Sequence, residues 1–577
     1  MSRQQFAARN NIGSVLTFQK SGSTSSFDPN INFSSGTRRV SWKLNNGTNV
    51  TQTAGNSITY TGFTSDTGIR TIEMRGNSFS GIMFLFLDNE NLYGRINLSG
   101  LKELKPYIPL FDGTAISLQN NLNLTGITNP TSTETIWSYD VSITGLYNLD
   151  LTPFSGGLIK NLNTYNCPNL SGITLGQNLS ITESFGGFNS NLIGNLDLTP
   201  LSGLGGSFQV QNNPNLTGIT NPSSSSQNFS QYAANNCNLT GNLNLPLSGL
   251  GGSFQVQNNP NLTGITNPSS SQIFTAYLAY NCNLTGNLNL PLSGLGGDFR
   301  VYNNTGLTSV THVSSSQNFS QYDASYCNLT GNLNLPFSGL GGEFYVNNNP
   351  NLTGITHVPS TQIFTNYSTY NCNLTGNLNL PFSGLGGSFQ VYNNSGLTSI
   401  THVSSSQNVN TYAAGNCNLT GTLDLSPLTK LGYNVTDDSY GSIYLSFNPN
   451  LTDVIFPNST QFFRNNGSND ANSVFAIYDC DLGYVNFKPL SGATLVSGAT
   501  VGIPRIYIRG NNMTASEVNH ILVDFSGNAT YNPTGWSNID LDIGGSNEPP
   551  DPSSGGYNGL AAISFLTGSP RNWIITT

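Results

Sequence analysis

Through residues 229–262 the chain reads FSQYAANNCNLTGNLNLPLSGLGGSFQVQNNPNL, and its apolar positions follow a fixed frame rather than a helical period. Phe229, Tyr232, Ala234, Cys237 and Leu239 occupy positions one, four, six, nine and eleven. Phe254, Val256 and Asn259 repeat positions four, six and nine, with one extra residue before Leu262. Alternate side chains of a strand face opposite sides, so positions four and six point inward and three, five and seven outward. The frame predicts one short strand per coil and a parallel sheet that grows coil by coil.

Cys237, Cys282, Cys327, Cys372 and Cys417 stand 45 residues apart, and Asn259, Asn304, Asn349 and Asn394 follow the first four of them by 22. The unit is therefore a coil of 22 or 23 residues in two alternating sub-types. Degenerate copies follow at Leu85/Leu87/Leu92, Ile116/Leu118/Asn121, Leu162/Thr164/Cys167 and Ile443/Leu445/Asn448, with Cys480 and Asn511 marking two more. Together they predict roughly 15 coils over about residues 80–525, a solenoid domain assigned to residues 79–512.

A solenoid exposes its core at both ends and needs caps. Val40, Trp42, Leu44, Ile58, Tyr60, Ile69 and Thr71 alternate between NNG and SDTG turns, which predicts a small antiparallel β-sandwich-like domain over residues 31–78. It is faintly similar to Ig-like and PKD modules, and residues 1–30 precede it as a polar arm. Thr514 and Glu517 form a capping box ahead of Val518, Ile521, Leu522 and Phe525 at helical spacing. Ile539, Leu541 and Ile543 read as a strand, residues 559–566 as a short helix and 573–576 as a final strand, an α/β C-terminal cap over residues 513–577. The fold class is mainly β.

With aromatic residues for two leucines, Phe229 to Leu239 fits L-x-x-L-x-L-x-x-N/C-x-L and resembles the leucine-rich repeat family. The resemblance covers more than three-quarters of the chain. It implies a leucine-rich-repeat-type solenoid with protein or glycan binding through the strand face. The chain departs from the family in PSSSSQ and LPLSGLGG, which carry no helical period and are expected to form loops or short 3₁₀ turns.

Coils stack about 4.8 Å apart, which puts cysteines two coils apart at about 9–10 Å. Disulfides tolerate roughly 7 Å between Cα atoms, so the column is read as buried free thiols, and the same separation argues against a zinc site. His312, His357 and His402 recur in THV at the same 45-residue spacing and are read as repeat-slot residues, not metal ligands.

Charged residues make up 8% of the chain, against roughly 25% in an ordinary domain. Between Lys160 and Lys430 the only basic residue is Arg300, and the net charge of −9 is thinly spread, so no footprint for nucleic acid or anionic lipid is formed. The N-terminus lacks the pattern of a secretory signal and no apolar run reaches 18 residues, so neither Sec export nor membrane insertion is expected. Walker loop, nucleophile elbow and HExxH are missing, and no cofactor or metal is expected.

The outward positions are more informative. Asp298, Arg300, Asp323 and Glu343 fall on three consecutive strands, and Tyr280, Tyr302, Tyr345, Tyr370 and Tyr392 point from the same sheet. This is the candidate binding face, suited to stacking sugars or gripping a protein. The plainer alternative is that Arg300 neutralises Asp298 and Asp323 across the ladder while tyrosines favour strands. Paired carboxylates also serve glycosidases, but an open sheet supplies no cleft to raise one pKa.

Near-identical coils suit a spacer or a binding surface better than a catalyst. The expected function is a non-enzymatic structural protein on a phage virion surface, a head fibre, decoration protein or tail fibre made in the host cytoplasm. It would attach to other virion proteins through the N-terminal region and meet a host glycan or protein on the strand face, with a homo-oligomer allowed for. The alternatives, in order, are a bacterial surface or secreted adhesin and a polysaccharide depolymerase.

Overall fold

The computed structural model describes the strands at 15–21, 30–33, 39–43, 49–53 and 69–75, and residues 82–88, 92–99, 114–222, 228–431, 442–457, 474–490, 505–531, 533 and 536–577. The chain divides into two units, Met1–Leu284 and Thr285–Thr577.

In the first unit position four of successive coils is in register across a parallel sheet: Tyr139, Leu162, Phe185, Phe208, Tyr232, Phe254 and Tyr277. In the second unit the column runs Phe299, Tyr322, Phe344, Tyr367, Phe389, Tyr412, Ile443, Phe475, Ile506, Leu541 and Ile575. The predicted mainly β, leucine-rich-repeat-type solenoid with a parallel sheet is present. Aromatic residues replace leucine because rings in neighbouring coils pack on each other, with centroids 4.8 Å apart for Phe299 and Tyr322 and 5.5 Å for Tyr322 and Phe344.

Position nine explains the two sub-types. Asn349 is fully buried; its Nδ2 donates to the carbonyls of Ala324 and Val346, and its Oδ1 accepts from Leu329 N at 3.0 Å. Asn259 does the same for Ala234, Val256 and Leu239. The cysteine that alternates with it makes only weak bonds, as from Cys327 Sγ to Val301 O at 3.4 Å and to Ser325 O at 3.5 Å. The extra residue of the Asn coil closes a turn, so that Leu352 N donates to the carbonyl of Asn349 itself.

All seven cysteines are free. Burial pushes the thiols of Cys237, Cys282, Cys372, Cys417 and Cys480 up to about 11 and that of Cys327 up to about 12. The thiolate is the reactive species, so a thiol reagent at pH 8 is expected to label the folded protein far more slowly than the protein in denaturant. Labelling at equal rates in the two states would contradict the column.

The backs of the coils require a correction. They were expected to be loops or short 3₁₀ turns in PSSSSQ and LPLSGLGG; between these NLTG, for which no element was expected, opens a second row of strands, paired two by two. Thr240–Asn244 pairs with Asn261–Thr266 in the first unit, and Thr330–Leu335 with Asn351–His357 in the second. Asn–Thr bonds tie five of these ribbons, as from Asn332 Nδ2 to Thr356 Oγ1 at 3.0 Å. LPLSGLGG is a turn at 247–249, and residues 223–227 of PSSSSQ lie outside the described residues.

In the N-terminal region Val15–Ser21, within the segment read as an arm, pairs antiparallel with Ile69–Arg75 and with Leu92–Asn97. Arg39–Lys43 pairs antiparallel with Asn49–Thr53 and Ile69–Arg75. Leu44, Ile58 and Tyr60 lie outside the described residues. At the other end the capping box is formed, Thr514 N donating to Glu517 Oε2 at 2.8 Å, and helix Ala515–Tyr531 buries Val518, Ile521, Leu522 and Phe525. Helix Gly559–Thr567 and strands Asp540–Asp542 and Ile574–Thr576 complete the cap.

Candidate binding face

The outward columns of the second unit are set by the same register that builds its core. Position three aligns Asp298, Gln321, Glu343, Asn366 and Ser388; position five aligns Arg300, Asp323, Tyr345, Ser368 and Gln390. Asp298, Arg300, Asp323, Glu343 and Tyr345 therefore occupy three consecutive strands, with Tyr302, Tyr370 and Tyr392 at position seven. Tyr280 follows Phe274–Leu278 in the first unit, where its carbonyl accepts from Asn258 N.

Arg300 Nε donates to Asp298 Oδ1 at 2.6 Å. Asp323 is only 9% exposed, and its Oδ1 accepts from Ser325 N at 3.0 Å and Ser325 Oγ at 2.6 Å. Burial pushes the Asp323 carboxyl above the usual range, while the Ser325 bonds and the positive field of Arg300 hold it down. The Tyr345 hydroxyl is raised by burial and then by the charges of Glu343 and Asp323, against a hydrogen bond with Asn366. Tyr370 and Tyr392 stack at 4.6 Å with 3° between their planes.

Position eight, where each coil turns after its strand, was not singled out from the sequence. Its backbone is left-handed, at φ +59° for Asn393 and +51° for Asn416, a conformation that asparagine tolerates better than most residues. The side chains form an exposed ladder: Asn371 Nδ2 donates to Asn348 Oδ1 at 2.8 Å, Asn393 to Asn371 at 2.7 Å and Asn416 to Asn393 at 2.8 Å. The first unit has its own, through Asn189, Asn212, Asn236, Asn258 and Asn281. These ladders let a face with few charges stay hydrated.

Two aromatic residues interrupt the pattern in the second unit. Tyr326 sits at φ +52° and is 51% exposed; Phe447 sits at φ +60° and is 49% exposed. Tyr326 hydrogen-bonds the Tyr370 hydroxyl, which also meets Asn348. Phe447 lies edge-on to Tyr478 at 5.2 Å, and Arg509 lies 5.5 Å from the Tyr478 ring centre and 3.7 Å from Asp542. The signal for Tyr326 was legible: Asn166, Asn236, Asn281, Asn371 and Asn416 precede cysteines where this copy has tyrosine.

The repeated histidines face inward. His312 Nε2 and Tyr322 Oη share a hydrogen bond of 3.0 Å, His357 and Tyr367 one of 3.0 Å, and His402 and Tyr412 one of 2.9 Å. Among the described residues no three His, Cys, Asp or Glu side chains converge as a metal-ligand set, and no helix is long and apolar enough to cross a membrane.

No protein-family model matches the chain, and no curated protein matches it. Among solved structures it is similar to the LRR ectodomain of the plant membrane receptor kinase GASSHO1/SCHENGEN3 from Arabidopsis thaliana in complex with CASPARIAN STRIP INTEGRITY FACTOR 2. Identity is 10%, coverage is 86% of this chain and 90% of that chain, and the TM-score is 0.13. A TM-score of that size carries no argument, and the solenoid assignment rests on the strand register above.

Proposed function

We propose that the chain is a non-enzymatic structural protein displayed on a phage particle, with the solenoid as spacer and the strand face as the surface that meets the host. The observation that carries this reading is the gathering of Asp298, Arg300, Asp323, Glu343 and the tyrosines on an open sheet, in a stretch of chain with no other Asp, Glu, Lys or Arg between Asp197 and Asp424. Open sheets present side chains to large partners and provide little of the enclosure that shifts a catalytic carboxyl. Near-copy coils that lengthen a surface by units suit reach and adhesion. Attachment to other virion proteins falls to the N-terminal region, and the strand face takes a host protein or glycan.

Mass spectrometry of purified particles is the direct test. The chain is expected in constant ratio to the major capsid protein after repeated purification. Its recovery from the bacterial surface, with none on particles, overturns the virion reading in favour of an adhesin. Release of new reducing ends from host polysaccharide, lost in both Asp323→Asn and Glu343→Gln, overturns the non-enzymatic reading.

A further inference from the structure

The aromatic stack on the strand face of the second unit ends over a gap. Tyr370 and Tyr392 occupy position seven of neighbouring coils, and their rings lie 4.6 Å apart and 3° from parallel. Neighbouring coils are themselves about 4.8 Å apart along the sheet, so these ring planes stand across the stacking direction. The second face of Tyr392 therefore looks along the stack to the next coil, where position seven is Gly415, a register fixed by Asn393 N donating to the carbonyl of Gly415. Glycine sends nothing up to cover it. One coil further on, Ser446 is buried, and its hydroxyl is turned down to accept from Tyr478 N at 3.3 Å. Two successive coils thus leave a floor without projecting side chains, and among the described residues Tyr370 is the one ring packed on Tyr392.

The far rim is aromatic as well. Phe447, at position eight of the Ser446 coil, is half exposed and meets Tyr478 edge-on at 5.2 Å, and Tyr444, at position five, is exposed. From the Tyr392 coil to the Phe447 coil is two steps, about 9–10 Å. Apolar groups touch at roughly 4.0–4.5 Å, so the gap has room for one saturated six-membered ring with a wall on each side. The asparagine ladder supplies a polar group beside it. Asn348, Asn371 and Asn393 each accept through Oδ1 from the amide one coil on. Phe447 stands where the next asparagine belongs, so the ladder ends at Asn416, whose Oδ1 receives no donor among the described residues. The outward positions of the coils of Tyr392, Gly415 and Ser446 carry no charged residue.

We infer that Tyr392, Gly415, Asn416 and Phe447 form a seat for one neutral hexopyranose unit of a glycan, its C–H face against the open face of Tyr392 and one of its hydroxyls donating to Asn416 Oδ1. A pyranose joins the three properties the gap asks for: polarised C–H groups that suit the negative face of an aromatic ring, hydroxyl donors, and no charge. This rests on the reading of the strand face as the surface that meets the host, and it chooses a glycan over a protein at this place on it.

The probes are methyl α-mannopyranoside, methyl β-glucopyranoside and methyl β-galactopyranoside at millimolar concentration, with N-acetyltyrosinamide as a peptide-like aromatic, read by saturation-transfer NMR on the full chain. At least one glycoside is expected to receive saturation, strongest at the ring hydrogens of one face. Tyr392→Ala is expected to weaken that binding about tenfold, because the aromatic wall is gone. Gly415→Tyr is expected to abolish it by carrying the stack of rings across the gap, and position seven already accommodates Tyr370 and Tyr392. Tyr531→Ala, which removes an exposed tyrosine of helix Ala515–Tyr531, is expected to change nothing and so separates a site from general adherence to tyrosines.

Absence of saturation on all three glycosides, undiminished saturation in Tyr392→Ala or in folded Gly415→Tyr, or equal loss in Tyr531→Ala overturns the inference. So does displacement of the glycosides by N-acetyltyrosinamide at lower concentration, since the gap would then be a seat for an aromatic side chain of a protein. If Gly415→Tyr does not fold, Tyr392→Ala decides alone. None of these outcomes bears on whether the chain is found on particles, so the inference and the virion reading fail separately.

Discussion

Lowering the pH from 7 to 4 is expected to destabilise the second unit by about 3 kcal/mol for each of three buried histidines, on the order of 10 kcal/mol together. His312, His357 and His402 are buried among rings, His312 between Phe299, Tyr322 and Phe337, and His357 between Phe344, Phe364, Tyr367 and Phe382. Burial pushes His312 and His357 down to about 3 and His402 down to about 4, with Asp424 opposing slightly at His402. The folded values lie below the ordinary 6.5. The stabilisation is therefore complete above pH 6.5 and drains away as the pH falls toward 3–4, because the unfolded chain takes up protons that the folded chain refuses.

The chain supplies its own control. In the first unit the slot holds Asn129, Asn221 and Asn267, bonded to Tyr139, Tyr232 and Tyr277 in the same way. Asparagine does not titrate and reaches a further acceptor, Asn221 Nδ2 donating to Asn244 O at 2.8 Å, whereas Nδ1 of His312 and of His357 is buried with no partner. The combined variant His312→Asn, His357→Asn, His402→Asn should keep its protection against hydrogen exchange in residues 300–420 at pH 4, while the parent loses it. Equal loss in parent and variant would show that carboxylates, not these histidines, set the acid limit.

How far the fold could be read in advance depended on how much apolar signal each segment carries. Phe344, on strand Gly342–Tyr345, and Val346 just after it are both fully buried, so the frame shows in the letters. In the ribbon strand Thr330–Leu335 only Leu333 and Leu335 are buried, and its TGNLN start offers only Leu333 to the core. Its extended form is held by backbone pairing and Asn–Thr bonds between coils, which leave almost no mark on hydropathy. That is why the second row was not foreseen from NLTG.

The candidate face shows the same division. Asp298, Arg300, Asp323 and Glu343 could be placed together because residues one coil apart in the frame are neighbours in space. Tyr326 could not be weighed without its backbone angle, since its interest lies in occupying a left-handed position. Likewise, the histidines were assignable to a repeat slot by spacing alone. Their partners, ten residues on, follow only once the coil is closed.

The alternation of Asn and Cys at position nine is itself a requirement, and Asn349→Cys tests it. The coils of Cys237, Cys327, Cys372 and Cys417 have no extra residue to close their own turn, so the N–H of Leu329 relies on Asn349 Oδ1 of the next coil. Leu239, Leu374 and Leu419 rely in the same way on Asn259, Asn394 and Asn448. Two cysteine coils in succession leave that N–H buried without an acceptor, and the carbonyls of Ala324 and Val346 lose the donor they share. Unsatisfied buried backbone groups cost about 1–3 kcal/mol each, so Asn349→Cys is expected to destabilise the second unit by about 3–5 kcal/mol although cysteine fills the same slot one coil away. Cys327→Ala removes only a small apolar side chain and a weak donor, and is expected to cost about 1–2 kcal/mol. Denaturant unfolding of the two variants decides the matter: if they lose equal stability, the thiol and the amide are interchangeable fillers, and the 45-residue period records duplication alone.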